Sequence, residues 1–230
     1  MGETPLHRDN LITAVKTLER HFEREPLVYV SGNMFVYYEK GNRRKHVSPD
    51  VFVAKGVPKY LPDNKRRKAY FVWQEPHGPD IAIELTSEST REEDLDDKMS
   101  IYQDEMPVPE YFLFDPEGEY LDPPLQGYRL RGGKYARIKI VEERLPSEIL
   151  GLHLERDGEW LRFYNPASGR WLPTPDELLL EEQAKRKRAE AKRKRAEAER
   201  KRLAAELEGS GKELERLRKE LEQWRRRFGE

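Results

Sequence analysis

The 230-residue chain contains no cysteine, so a disulfide framework and a thiolate metal site are both excluded, and a reducing compartment suits it. Any metal must be held by oxygen or imidazole. Nowhere do about 18 apolar residues run together, and the opening stretch MGETPLHRDNLITAV has no basic region followed by an apolar one. The expectation is a soluble, cytoplasmic chain with no membrane partner. The five histidines, His7, His21, His46, His77 and His153, fall in different predicted elements without zinc-ligand spacing, and read as surface or packing residues. No nucleophile-elbow pattern supports a Ser-His-Asp triad, and Gly132-Gly133 fits a hairpin turn better than a phosphate loop.

What the chain does have is charge: 38% of residues are charged against 36% hydrophobic, too polar for one compact domain of this length. The surplus is localised. Residues 184–202 hold eleven Lys or Arg against three Glu, a net +8 that leaves −9 for the rest. Here AKRKRAE at 184–190 recurs unchanged at 191–197, and KELERLR at 212–218 is echoed by KELEQWR at 219–225, both with a seven-residue period. The second repeat places Leu214, Leu217, Leu221, Trp224 and Phe228 on an apolar seam. The first has only Ala189, Ala196 and Leu203 there, with Arg186, Arg193 and Arg200 at the partner positions. Residues 176–230 therefore read as a long charged helix, interrupted near Gly209-Ser210-Gly211, whose last stretch pairs with a partner helix as a coiled coil. Its basic repeat is either a solvated face with i,i+4 Glu partners or a track for phosphates.

Residues 1–175 read as one α/β domain. Leu11, Ile12, Val15, Leu18 and Phe22 follow helical spacing after a possible N-cap at Asp9 or Asn10. The runs LVYVS and MFVYYE around Gly32-Asn33 suggest a hairpin. Further strands are expected at 50–54, 69–74, 81–85 and 111–115, with a helix over 89–105 and hairpins from 125 to 172. That order indicates a sheet with helices packed on it.

The stretch DIAIELTSESTREEDLDDKMSIY carries the chemistry. Ile81, Ile83 and Leu85 share one face of a strand and Ala82 and Glu84 the other, so a carboxylate sits mid-strand. Without a partner its burial is expensive. Asp50 opens a neighbouring strand directly after Ser48-Pro49. On the helix, Leu95, Met99, Tyr102 and Met106 form the stripe facing the sheet, and Lys98 flanks it, able to reach Glu84. Two carboxylates and a lysine suit a divalent metal that activates water, Mg²⁺ or Mn²⁺, held by Asp50 and Glu84 with Lys98 assisting the nucleophile. Structural readings stand beside this: Asp50 as a turn cap, Glu84 and Lys98 as a buried pair, Lys98 as an i,i+4 partner of Asp94. Asp94 supports Lys98 or balances helix charge; Asp80 and Glu88 read as solvated.

Ser48-Pro49-Asp50, DIAIELTSEST, DLDDKMSIY, VPEYFLFDP and LQGYRL together resemble the Uma-two family of endonucleases, in the PD-(D/E)xK restriction-endonuclease-like superfamily, from about residue 9 to 180. The resemblance implies a central mixed β-sheet flanked by helices and a DNA endonuclease activity. It carries the metal-binding acids to Asp50 and Glu84. Thr86 stands where the (D/E)xK motif has its lysine, and Lys98 corresponds to the lysine displaced onto the following helix. The expected partners are nucleic acid, DNA before RNA, and a second copy joined through the coiled coil. The alternative is a catalytically silent nuclease fold that serves as a scaffold.

Overall fold

A computed structural model of the chain describes residues 4–229. The chain divides between Pro175 and Asp176 into two compact units. The first unit opens with helix α1 (Pro5–His21), which starts earlier than the apolar spacing suggests. Thr4 caps it by accepting from the His7 amide at 3.2 Å, and Pro5 occupies the first turn, where its missing N–H has no partner to lose. Neither Asp9 nor Asn10 is the cap. The buried stripe consequently begins at His7 and runs through Asn10, Leu11, Ala14, Thr17 and Leu18.

The strands are β1 (Val28–Ser31), β2 (Val36–Tyr37), β3 (His46–Val47), β4 (Val51–Lys55), β5 (Tyr70–Phe71), β6 (Ile81–Leu85), β7 (Glu110–Phe114), β8 (Leu125–Arg131), β9 (Lys134–Arg137), β10 (Leu145–Ser147), β11 (Leu152–Asp157), β12 (Trp160–Asn165) and β13 (Arg170–Trp171). A central six-stranded sheet has the order β1-β4-β6-β7-β8-β9, and only β6 and β7 run parallel. That parallel pair needs a crossover, which the helical segment α2 (residues 93–105) supplies. The fold is thus mixed α/β, with a central mixed sheet flanked by helices. The expected β1–β2 hairpin does not form. β1 pairs with β4, while β2 pairs with β3 and β5 in a separate three-stranded sheet. Asn33 takes a left-handed conformation, φ 48°, and turns the chain out of the main sheet.

Alternation along β6 fills both faces. Ile81, Ile83 and Leu85 join α1 and the four-stranded sheet β10–β13 in one core, with Phe112, Phe114 and Leu154. Ala82 belongs to the other core, with Tyr102, Tyr111, Leu113 and the inner face of the small sheet. Asn10 ties α1 to the β11–β12 hairpin, donating to the Glu159 carbonyl at 2.8 Å and accepting from the Leu161 amide at 3.0 Å.

Two of the family-like motifs serve this framework. In VPEYFLFDP, buried Glu110 meets Arg129 at 2.7 Å and accepts from Ser147, and Asp115 accepts from the amides of Gly118, Tyr120 and Leu121 in the turn after β7. In LQGYRL, a Cβ on Gly127 would lie 2.9 Å from the Phe112 ring, so only glycine lets the two strands close there. Gly132-Gly133 forms the β8–β9 hairpin turn with positive φ at both positions.

The second unit consists of helix α3 (Pro175–Phe228), unbroken through Gly209-Ser210-Gly211, contrary to the expected interruption. A glycine in a helix costs about 1 kcal/mol, which the ion pairs on either side, such as Lys212 with Glu208 and Lys219 with Glu215, help offset. Every described α3 residue is solvent-exposed or nearly so, the seam leucines included. Among the described residues, no helix is long and apolar enough to cross a membrane.

Candidate active site

Antiparallel pairing of β4 with β6 sets Val51 opposite Ile83. Asp50 therefore enters the sheet beside Glu84, and its backbone N–H lies 3.3 Å from Glu84 Oε2. The Asp50 carboxylate is fixed from two sides: Oδ2 accepts from the Leu85 amide at 2.8 Å, and Oδ1 lies 3.2 Å from His7 Nε2. Close approach of the chain at Gly32 holds this corner, since a Cβ there would fall 2.2 Å from the Asp50 carbonyl oxygen.

Glu84 has no solvent exposure. Its Oε1 accepts from the Tyr102 hydroxyl at 2.6 Å and its Oε2 from Lys98 Nζ at 2.8 Å. Lys98 Nζ also lies 2.8 Å from Asp94 Oδ1, so the ammonium bridges two buried carboxylates. Asp94 is held in turn by Tyr111, whose hydroxyl donates to the Asp94 carbonyl at 2.8 Å. Within α2 the Lys98 N–H reaches back five residues to the Glu93 carbonyl, and the Met106 N–H likewise to Ile101. Such wide turns are frequent at functional sites. Here they present Lys98 and Tyr102, four apart, to the same carboxylate.

Asp50, Glu84 and Asp94 face one ammonium, and the imbalance shows in Glu84. Burial pushes its pKa up to about 8 against the pull of Lys98, with Asp50 and Asp94 pushing the same way. Asp94 is raised by burial as well. Burial opposes the Lys98 ammonium, but the carboxylates of Glu84, Asp94 and Asp50 outweigh it and hold the amine above its ordinary value. The Tyr102 and Tyr111 hydroxyls, raised chiefly by burial, stay protonated donors.

Three residues join the cluster in ways the sequence reading missed. His7, assigned to surface or packing, is buried against Asp50; the Thr4-Pro5 start signal would have placed it in the first helical turn. Tyr102 was assigned to packing alone, yet it donates to Glu84. Thr86, at the place of the superfamily lysine, is buried with a hydroxyl that has no hydrogen-bond partner. It lines a cavity of about 180 Å³ with His7, Ser87 and Thr90. Asp80, read as solvated, accepts from the Lys55 amide at 2.6 Å.

The donor chemistry fits a hard divalent cation. Asp50 and Glu84 offer carboxylate oxygens from paired strands, and the cluster is short of positive charge. Among the described residues no group of three or more His, Asp or Glu side chains is placed to hold a metal ion, so a cation here would rest on the Asp50 and Glu84 pair and take its other ligands from water and phosphate.

No curated protein matches the chain. Among solved structures, one described as a putative nuclease belonging to DUF820 from Anabaena variabilis ATCC 29413 is similar in fold, with a TM-score of 0.50 and 14% identity, over 67% of this chain and 80% of that one. The profile of the Uma2 family, described as "Putative restriction endonuclease", matches residues 1–157. With its mixed sheet and an acid pair at the β4–β6 junction, the chain belongs to the Uma2 family.

Proposed function

We propose that this protein is a metal-dependent endonuclease that hydrolyses phosphodiester bonds of DNA. The carrying observation is the meeting of Asp50 and Glu84 across β4 and β6 with Lys98 Nζ 2.8 Å from Glu84. Asp50 and Glu84 would hold Mg²⁺ or Mn²⁺, which supplies Lewis acidity for water and phosphate. The chain's own residues do the remainder. Lys98 places a fixed positive charge where the phosphorane charge develops, in a site shielded from water. His7 and the Leu85 amide hold Asp50 in one orientation, so no reorganisation is needed when substrate arrives. Tyr102 fixes Glu84 and leaves Lys98 the other oxygen.

A scaffold reading is supported by one observation: both Glu84 oxygens already have protein donors. Calorimetric titration of Mn²⁺ into wild type and Glu84→Ala separates the two. The nuclease reading expects binding heat that the substitution abolishes; a wild type without heat supports the scaffold.

The exposed seam of Leu214, Leu217, Leu221, Trp224 and Phe228 supports pairing of α3 with a second copy. Two active sites would then serve opposed strands. In the basic repeat, Lys185, Arg186, Lys194 and Lys201 pair with glutamates four residues before them. The Lys and Arg between them that form no ion pair among the described residues are the ones suited to phosphates.

A further inference from the structure

The small sheet β3-β2-β5 has an outer face that its inner face does not explain. Val36 is paired with Val47 and Tyr70, and all three are buried in the core. The next residue on each strand points the other way, where polar side chains would normally meet water. Those residues are Tyr37, His46 and Phe71, aligned in register. Phe35 and Trp73 extend the row at its ends. Tyr37 and Phe71 stack at 5.2 Å with an 18° interplanar angle, Phe71 meets Trp73 at 5.3 Å, and Phe35 meets His46 at 4.8 Å. None belongs to either core, and Phe35 is 52% exposed.

Cross-strand aromatic pairs stabilise a sheet, and two-residue strands benefit from that, but stabilisation alone needs no particular charge around the rings. Here basic residues stand in both loops that enter the sheet, Lys40, Arg43, Arg44 and Lys45 before β3 and Lys65 to Lys68 before β5, although Arg66 and Arg67 line a cavity with α1 and β1 on the inner side. Lys45 is tied to Glu105, Lys65 to Asp63 and Arg67 to Glu75. Lys40, Arg43, Arg44, Arg66 and Lys68 form no ion pair among the described residues. The first loop is anchored to the platform, since His46 Nδ1 lies 3.0 Å from the Arg43 carbonyl. A groove of about 720 Å³ then runs from Phe35 and His46 past Ser48 to Lys98. The groove is also lined by Glu93, Asp97 and Glu105, the last paired with Lys45, so the phosphates are taken by the Arg43–Arg44 loop outside it.

We propose that this outer face is a stacking platform for an unpaired nucleic-acid strand, with bases on the Tyr37, Phe71 and neighbouring rings and phosphates on the Arg43–Arg44 loop. The groove leads the strand toward Lys98. Aromatic faces take any base, and the loops follow the backbone, so the platform selects single-stranded over duplex nucleic acid without reading sequence. The proposal rests on the nuclease reading for what happens to the strand, although the binding itself does not.

The test is fluorescence anisotropy of the full chain in EDTA with labelled oligo-dT, oligo-U and a duplex, each of about 20 nucleotides. The readout is the ratio of duplex to single-strand Kd, because any binding by the basic repeat of α3 would act through charge and give no preference for single strands. Wild type is expected to favour single strands about tenfold or more, with the dT and U arms naming the preferred sugar. Tyr37→Ala with Phe71→Ala should abolish the preference, and the exposed Phe35→Ser, which leaves the fold intact, should reduce it. Tyr37→Phe should keep it. Arg43→Ala with Arg44→Ala should weaken binding and flatten its salt slope by about 1.

A wild type without single-strand preference overturns the proposal, as does a preference that survives loss of the rings. So does sedimentation showing that ring loss dissociates a dimer, which would mark the face as a contact between copies. Asp50→Ala should keep the preference in EDTA while losing the cleavage that wild type shows in a parallel assay with Mg²⁺ or Mn²⁺ in place of EDTA. Cleavage of duplex without single-strand preference sinks the platform alone; preference without cleavage sinks the nuclease reading alone.

Discussion

Lys98 Nζ sits 2.8 Å from Glu84 Oε2 and 2.8 Å from Asp94 Oδ1, with Glu84 and Asp94 fully buried. One ammonium thus joins a mid-strand carboxylate to the helix that crosses over it. A pair of this kind contributes little net stability while intact, but removing one partner strands the other.

Lys98→Ala is accordingly expected to destabilise the fold by about 3 kcal/mol, read from the urea midpoint. Lys98→Met combined with Glu84→Gln and Asp94→Asn should recover most of that loss, because no carboxylate that faced the ammonium is then left buried and charged. A single variant as stable as wild type would show that the pair is not coupled.

Stability should also depend on pH through Glu84. Its folded pKa, about 8, lies above the ordinary 4.5. Between these values the folded protein holds a proton that the unfolded chain has released, so stability falls as pH rises through this window. Each unit of difference is worth about 1.4 kcal/mol, and a loss of a few kcal/mol from pH 5 to 8 is expected in metal-free buffer. Glu84→Gln should flatten the profile. A wild-type profile that rises with pH, or matches that of the Gln variant, contradicts the burial argument.

Gly32→Ala tests how the Asp50 corner is built. The added Cβ, 2.2 Å from the Asp50 carbonyl oxygen, forces backbone to move. A loss of about 1–3 kcal/mol should come with a loss of Mn²⁺ affinity, whereas Gly209→Ala, with open space around it, should stabilise α3 slightly. Equal effects at both glycines would remove the corner from the account.

His7→Gln probes the orientation of Asp50. Outer partners of metal-binding carboxylates typically change affinity or activity about 10–100-fold, and that loss is expected in metal affinity, with a small shift in melting temperature. An unchanged affinity would reduce His7 to packing.

Much of the fold was legible because period-two alternation and turn residues were strong locally. IAIEL shows in sequence which of its faces carries Glu84, and β6 keeps that alternation. Lys98 could be placed near Glu84 from helical spacing alone. The β1–β2 hairpin was misread because Gly32-Asn33 signals a turn but not which strands pair after it; the competing partner, β4, lies about twenty residues away. His7 was missed because apolar spacing starts the helix at Asp9, while the capping chemistry of Thr4-Pro5 starts it a turn earlier. The glycines of α3 failed to break it because helix propensity is a weak prior in a long, ion-paired helix.

The most direct measurement is cleavage of supercoiled plasmid, single-stranded DNA and RNA by wild type, Asp50→Ala, Glu84→Gln and Lys98→Met across a Mg²⁺ and Mn²⁺ titration. Metal-dependent nicking by wild type, lost in all three variants while each remains folded, is the predicted result. Wild type and variants sharing one background rate on every substrate would contradict the catalytic assignment of this cluster.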